Sequence, residues 1–126
     1  MNTLTRQVRI ETPHWLKRKV IYFGKEMEHF FPSDALGDRE KEGSALAPQH
    51  GHKVTFDYCG VEKSECDIAV KRNKKGDVLQ MRPRLSAPIG NFYKAHNAAI
   101  GDFVTITKVN SRTFEVRLVK ADDATV

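Results

Sequence analysis

Alternation of apolar and polar residues is the dominant pattern along the chain. Val54, Phe56 and Tyr58 fall on one face of the stretch His52 to Tyr58, the period of a half-buried strand. A turn around Gly60 and Glu62 to Ser64 follows. Cys66, Ile68 and Val70 then alternate again, which predicts a hairpin. Asn73 to Gly76 supplies another turn. Beyond it Val78, Gln80 and Arg82 share one side of a strand, with Leu79 and Met81 on the other, and Pro83 and Pro88 end the strand region. Phe103 to Val109 is the most distinct strand, with a turn at Asn110-Ser111 and a hairpin partner from Phe114 to Val119. Nearer the N-terminus, Val20-Ile21-Tyr22-Phe23 before Gly24 reads as a buried strand.

Helical spacing is rarer. Ile89, Phe92, Tyr93 and His96 stand at i, i+3, i+4 and i+7, predicting a short helix from Ile89 to Ala99 that Gly101-Asp102 breaks. Lys25 to Phe31 fits either a helical face of Met27, Phe30 and Phe31 or an extended segment, because Pro32 disfavours helix at Phe31. Strands thus come in hairpins and not in βαβ units. The expectation is a mainly β domain with one or two short helices, about seven antiparallel strands forming an open barrel or pseudobarrel. Residues 1–17 read as a flexible N-terminal segment, 18–120 as the domain and 121–126 as a frayed tail. Ser33 to Gly51 carries no apolar period and reads as a protruding loop.

The composition fits this picture: 40% hydrophobic and 29% charged residues in 126 suit one globular domain with its own core. No apolar run is long enough for a membrane span, and the first residues lack the apolar centre of a signal peptide, so a cytoplasmic location is expected. Cys59 and Cys66 are then expected as reduced thiols. The net charge of +5 favours an anionic partner, nucleic acid before an acidic protein.

Chemistry for catalysis is sparse. No serine has a nucleophile-elbow context, and Gly37, Gly43 and Gly60 are isolated turn glycines, not a phosphate-cradling loop. His50 and His52 flank Gly51, but the paired cysteine spacing of zinc sites is missing. Asp57, Glu62, Glu65 and Asp67 crowd one hairpin, where Asp57 and Asp67 could face each other as a metal-holding pair. Exposed acids on a hairpin more often serve solubility. No catalytic residue, metal site or cofactor is expected.

The distinctive stretch is Val70 to Arg84, VKRNKKGDVLQMRPR. Lys71, Arg72, Lys74, Lys75, Arg82 and Arg84 stand against Asp77 alone, a net of +5 that equals the charge of the whole chain. A two-stranded ribbon of this kind fits a DNA major groove. Arg82 and Arg84 flank Pro83, and arginine bonds a guanine edge or a phosphate through two donors. Asn73 and Gln80 have the donor and acceptor pair that adenine presents a partner for.

Leu85 to Asp102, LSAPIGNFYKAHNAAIGD, followed by the FVTITKV strand, resembles the closing half of the DNA-binding pseudobarrel, the B-three domain of plant transcription factors and of the recognition domains of some type II restriction endonucleases. Phe92 matches the aromatic of the family's helix and Gly101-Asp102 its turn. Phe31-Pro32-Ser33-Asp34-Ala35-Leu36 resembles the family's strand-to-loop segment. Pro88-Ile89 stands where the plant members carry Gly-Trp. The resemblance implies two arms that clasp duplex DNA from the major groove, one at about Ser33 to His50 and the other at about Lys71 to Arg84. The first arm carries the acids Asp38, Glu40 and Glu42 beside Arg39 and Lys41.

The sequence reading is therefore double-stranded DNA binding with sequence preference, in transcription regulation or as a module supplied to a separate nuclease or regulatory protein of a restriction-modification system. Lys71, Arg72, Lys74 and Lys75 are expected on phosphates. Arg82, Arg84 and Asn73 are expected on base edges. Arg39 and Lys41 would act from the first arm, and Asn91 and Lys94 would hold a phosphate at the helix start. Three alternatives stay open. One is a single-strand or RNA-binding barrel that stacks bases on Trp15, Tyr22 and Tyr93. Another is a protein-interaction module, and the third is a small metal-dependent nuclease.

Overall fold

The computed structural model describes residues 4–38 and 50–124, the side chains of 123 and 124 excepted. Among these residues there are eight strands: β1 (Thr5–Arg9), β2 (Leu36–Asp38), β3 (Val54–Tyr58), β4 (Glu62–Cys66), β5 (Ile68–Arg72), β6 (Val78–Pro83), β7 (Phe103–Asn110) and β8 (Thr113–Val119). Three short helices, α1 (Pro13–Arg18), α2 (Ala87–Ala95) and α3 (Ala121–Ala124), and two 3-10 segments, Lys25–Phe30 and Ser33–Ala35, complete the fold. It is mainly β. The strands form a five-stranded sheet in the order β1-β7-β8-β3-β4 and a three-stranded sheet in the order β2-β5-β6.

Both sheets are mixed. The hairpins β3–β4, β5–β6 and β7–β8 pair antiparallel as their turns dictate. The β3–β8 and β2–β5 pairs are parallel. Local alternation predicts which residues extend but not which distant strand lies alongside, so the expected all-antiparallel arrangement is replaced at these two pairs.

The core lies between the sheets. Phe31 stands 4.9 Å from Phe23 and 5.0 Å from Phe114 between ring centroids, and Phe56 borders all three. Fully burying each such side chain contributes about 1.5–3 kcal/mol. Helix α2 buries Ile89, Phe92 and Tyr93, placing Phe92 against Tyr58 at 5.6 Å. Tyr93 donates its hydroxyl to the Val20 carbonyl.

Several segments differ from expectation. Glu62 to Ser64, read as a turn, lies within β4, and Cys66, Ile68 and Val70, read as one strand, are divided at Asp67 between β4 and β5, which belong to different sheets. The N-terminal residues 1–17, read as flexible, contribute β1, which pairs with β7 over five residues, and the start of α1. A polar edge strand with one half-buried valine leaves little apolar signal, and its charged residues suit an edge. Val20 to Phe23 is largely buried as predicted but forms no ladder; only Phe23 bridges Met81. Lys25–Phe30 resolves as a 3-10 helix that stops at extended Phe31, where Pro32 disfavours the helical conformation.

The Gly101-Asp102 turn ties both ends of the chain together. Gly101 has φ of +97°, open to glycine without strain, and donates to the Ile10 carbonyl. Asp102 is buried and accepts from the N–H groups of Ala99 and Ala121 and from Lys120 Nζ. The expected frayed tail from residue 121 therefore begins as a bonded helix. No helix among the described residues is long and apolar enough to cross a membrane.

Candidate nucleic-acid interface

The basic stretch folds as the β5–β6 hairpin; β2 lies along β5 at Ile68 to Val70 and Phe23 bridges Met81, so only the part beyond Val70 and Met81 projects as two strands. Lys71 pairs with Gln80 and Ala69 with Arg82, so Lys71, Gln80 and Arg82 share the face opposite Val70 and Met81. Val70, Val78 and Met81 are buried and fix that register, since a slip by one residue would expose them. A bulge between Lys71 and Arg72 adds local twist at the start of the turn.

The turn is held by Asn73. Its Oδ1 accepts from the N–H of Lys75 at 2.9 Å and of Asp77 at 3.0 Å, and its Nδ2 donates to Asp77 Oδ2 at 3.3 Å. Gly76, at φ +87°, donates to the Asn73 carbonyl, and Arg72 Nη1 donates to the Gly76 carbonyl at 2.9 Å. The Asn73 side chain, though exposed, thus shapes the turn, its oxygen holding two backbone N–H groups and its amide the Asp77 carboxylate. Lys71, Arg72, Lys74 and Lys75 are exposed and Arg82 half-buried. Among the described residues none of these five cations is ion-paired.

Arg84 is placed differently from Arg82. It lies just past the end of β6 and turns to Asp67, just before the start of β5. Its Nε bonds Asp67 Oδ1 at 2.6 Å and its Nη2 bonds Asp67 Oδ2 at 2.9 Å. Nη2 also donates to the Asp38 carbonyl at 2.7 Å. Side-chain exposure is 12% for Arg84 and 4% for Asp67, so the pair is withdrawn from any ligand surface. Arg84 is therefore structural in this fold, contrary to its expected place on a base edge. Burial pushes the Asp67 carboxyl up, but the Arg84 hydrogen bond and the Gly51 N–H outweigh it and hold the group below the usual carboxylate range.

Asp67 also accepts the Gly51 N–H at 2.7 Å. A Cβ on Gly51 would sit 2.5 Å from the Ala35 carbonyl carbon, so the backbones touch here. The expected first arm begins with Ser33–Ala35 and β2, and His52 donates from its N–H to the Asp34 carbonyl. Arg39 and Lys41 lie outside the described residues.

Asn91 is bonded to the five-stranded sheet: its Nδ2 donates to Glu62 Oε1 at 2.8 Å at the start of β4, and Lys94 is exposed on α2. A carboxylate beside Asn91 opposes phosphate binding there. The sequence reading also missed Arg112 in the β7–β8 turn. It bonds Asp34 Oδ1 at 3.0 Å and the Lys53 carbonyl at 3.1 Å, adding a cation beside the flank of the first arm. Its partner is 78 residues away, beyond any local pattern. Asp67 did leave a signal: a carboxylate between buried Cys66 and Ile68 must find a cation.

Asp57 pairs with Lys63 in the β3–β4 register, while Asp67 faces Arg84, so the two aspartates do not meet. Among the described residues no three His, Cys, Asp or Glu side chains converge to hold a metal ion. Cys59 and Cys66 are free thiols, and burial pushes both up in pKa. Trp15 is buried at 8% exposure and Tyr93 at 5%.

No family model matches the chain, and no curated protein does. Among solved structures the chain is similar to a hypothetical protein of Arabidopsis thaliana, at 14% identity over 95% of each chain with a TM-score of 0.47.

Proposed function

We propose that this chain is a non-catalytic double-stranded DNA-binding domain of the pseudobarrel type, and that the β5–β6 hairpin is its principal reading arm. The observation that carries the reading is the presentation of Lys71, Arg72, Lys74, Lys75 and Arg82 on one stiffened ribbon, none of them ion-paired among the described residues. A ribbon of two strands has the width of the major groove. The lysines at the turn neutralise phosphates, which makes binding steeply salt-dependent. Arg82, on the ribbon face with Gln80, reads a base edge.

A single-strand or RNA-binding barrel is less favoured, because stacking needs open aromatic faces: Trp15 and Tyr93 are buried, and half-buried Tyr22 has the His14 ring stacked on it at 5.9 Å. Titration with duplex and with single-stranded DNA of the same sequence, followed by backbone NMR, tests the reading. The expected result is tighter duplex binding, with shifts concentrated at residues 71–77, 80 and 82. Equal or tighter single-strand binding would overturn it.

A further inference from the structure

Asp67 and Arg84 occupy the position next to the last register pair of the hairpin, Ile68 with Pro83. They therefore close its root. The Arg84 N–H also bonds the Asp67 carbonyl at 3.1 Å, so backbone and side chains make the same closure. The pair reaches further than the hairpin. Arg84 Nη2 takes hold of the Asp38 carbonyl at the end of β2, and Asp67 Oδ2 takes the N–H of Gly51 where the described chain resumes. Both flanks of the first arm are thus bonded to the side chains that close the root of the second.

We infer that Asp67 and Arg84 are positioning residues for DNA binding: they fix the hairpin relative to the flanks Asp38 and Gly51, and set affinity for duplex DNA without touching it. The inference rests on the DNA-binding reading above. It makes a prediction whose sign direct electrostatics would reverse. Asp67→Asn removes a negative charge near a DNA-binding hairpin, so by charge alone it should strengthen binding. As a positioning residue its loss weakens binding. Arg84→Lys keeps the positive charge and would preserve a phosphate contact. It loses the planar two-donor fork, so a positioning role does not survive it.

Asp102 provides a matched control. Like Asp67 it is a buried carboxylate holding a cation, with two backbone N–H groups where Asp67 has one, and none of these bonds reaches the hairpin or the residues around Asp38 and Gly51. The test is titration of a labelled mixed-sequence duplex with the full chain as wild type, D67N, R84K and D102N, under conditions where NMR shows each variant folded. D67N and R84K should bind roughly 2- to 30-fold more weakly than wild type. D102N should bind at least as tightly as wild type.

D67N or R84K binding as tightly as D102N overturns the positioning role and leaves the DNA reading standing. A wild-type protein that binds no duplex overturns the DNA reading and the joint's part in it together. The free protein supplies a second measurement. Amide order parameters in D67N should fall both at residues 50–53 and at 71–76, and a change confined to residue 51 contradicts the joint.

Discussion

Arg84 faces Asp67 through two parallel hydrogen bonds of 2.6 and 2.9 Å, with both side chains withdrawn from solvent. This fork uses the guanidinium for architecture, although its neighbour two residues earlier, Arg82, has no ion-pair partner among the described residues. Removing Arg84 leaves the Asp67 carboxylate buried without a cation, held by the Gly51 N–H alone among the described residues. Arg84→Ala should cost about 3–5 kcal/mol of folding stability. A urea titration against wild type measures it, and a loss no larger than that of an exposed substitution would contradict the burial of the pair.

The same chemistry gives stability a defined dependence on pH. Asp67 and Asp102 are both held below the ordinary carboxylate range: burial pushes each up, but Arg84 with the Gly51 N–H, and Lys120 with the Ala121 and Ala99 N–H groups, outweigh it. A carboxylate whose folded pKa is depressed contributes stability that is fully present above its unfolded value of about 3.9 and is lost as pH falls through its lower folded value. Unfolding free energy should therefore fall as the solution is acidified below about pH 4. D67N and D102N should each flatten that fall, measured by urea unfolding across the acidic range.

Within the hairpin, contacts to phosphate and to bases separate by their salt response. Lys74→Ala and Lys75→Ala should each reduce the slope of log affinity against log salt by about 0.9 if each neutralises one phosphate. They should weaken all duplex sequences alike. Arg82→Ala should cost about 1–3 kcal/mol on a preferred site and relax the preference there. Duplex titrations at several salt concentrations check both, and an Arg82 variant indistinguishable from wild type on every duplex contradicts its role.

Asn73 is predicted to act on the turn. Asn73→Ala removes the acceptor for two backbone N–H groups in an exposed turn, a cost of about 0.5–1.5 kcal/mol for a typical bond of this kind. Faster hydrogen exchange at Lys75 and Asp77 should report it. Asn73→Asp keeps the acceptor but sets a second carboxylate against Asp77 Oδ2, which the Asn73 Nδ2 bonds at 3.3 Å, so its protection should fall between those of wild type and Asn73→Ala.

Much of this architecture was legible along the chain. Val54, Phe56 and Tyr58 gave β3, the alternation around Ile106 and Val116 gave β7 and β8, and the spacing of Ile89, Phe92 and Tyr93 gave α2, although it begins at Ala87 and ends at Ala95. These elements are readable because side-chain direction repeats with the backbone geometry of a strand or helix, and burial selects the apolar face. The β1 strand was hidden because its edge pairing rests on backbone bonds and needs little apolar surface. Val20 to Phe23 was misread because a buried run shows that residues are inside, not that a neighbouring strand exists to pair with them.

The sequence alone determined the mainly β class, the Asn73 to Gly76 turn between two short strands and the concentration of positive charge from Val70 to Arg84, all properties of neighbours in the chain. The tertiary structure decided what each charge does. Arg82 and Arg84 sit two residues apart and read alike, but Arg84 lies beyond the strand and meets Asp67, 17 residues away. Asn73 reads as a base-seeking amide, yet its bonds go to its own turn. A buried charge takes whichever partner the fold brings within reach, and that partner is set by the packing of distant segments, which no local periodicity encodes.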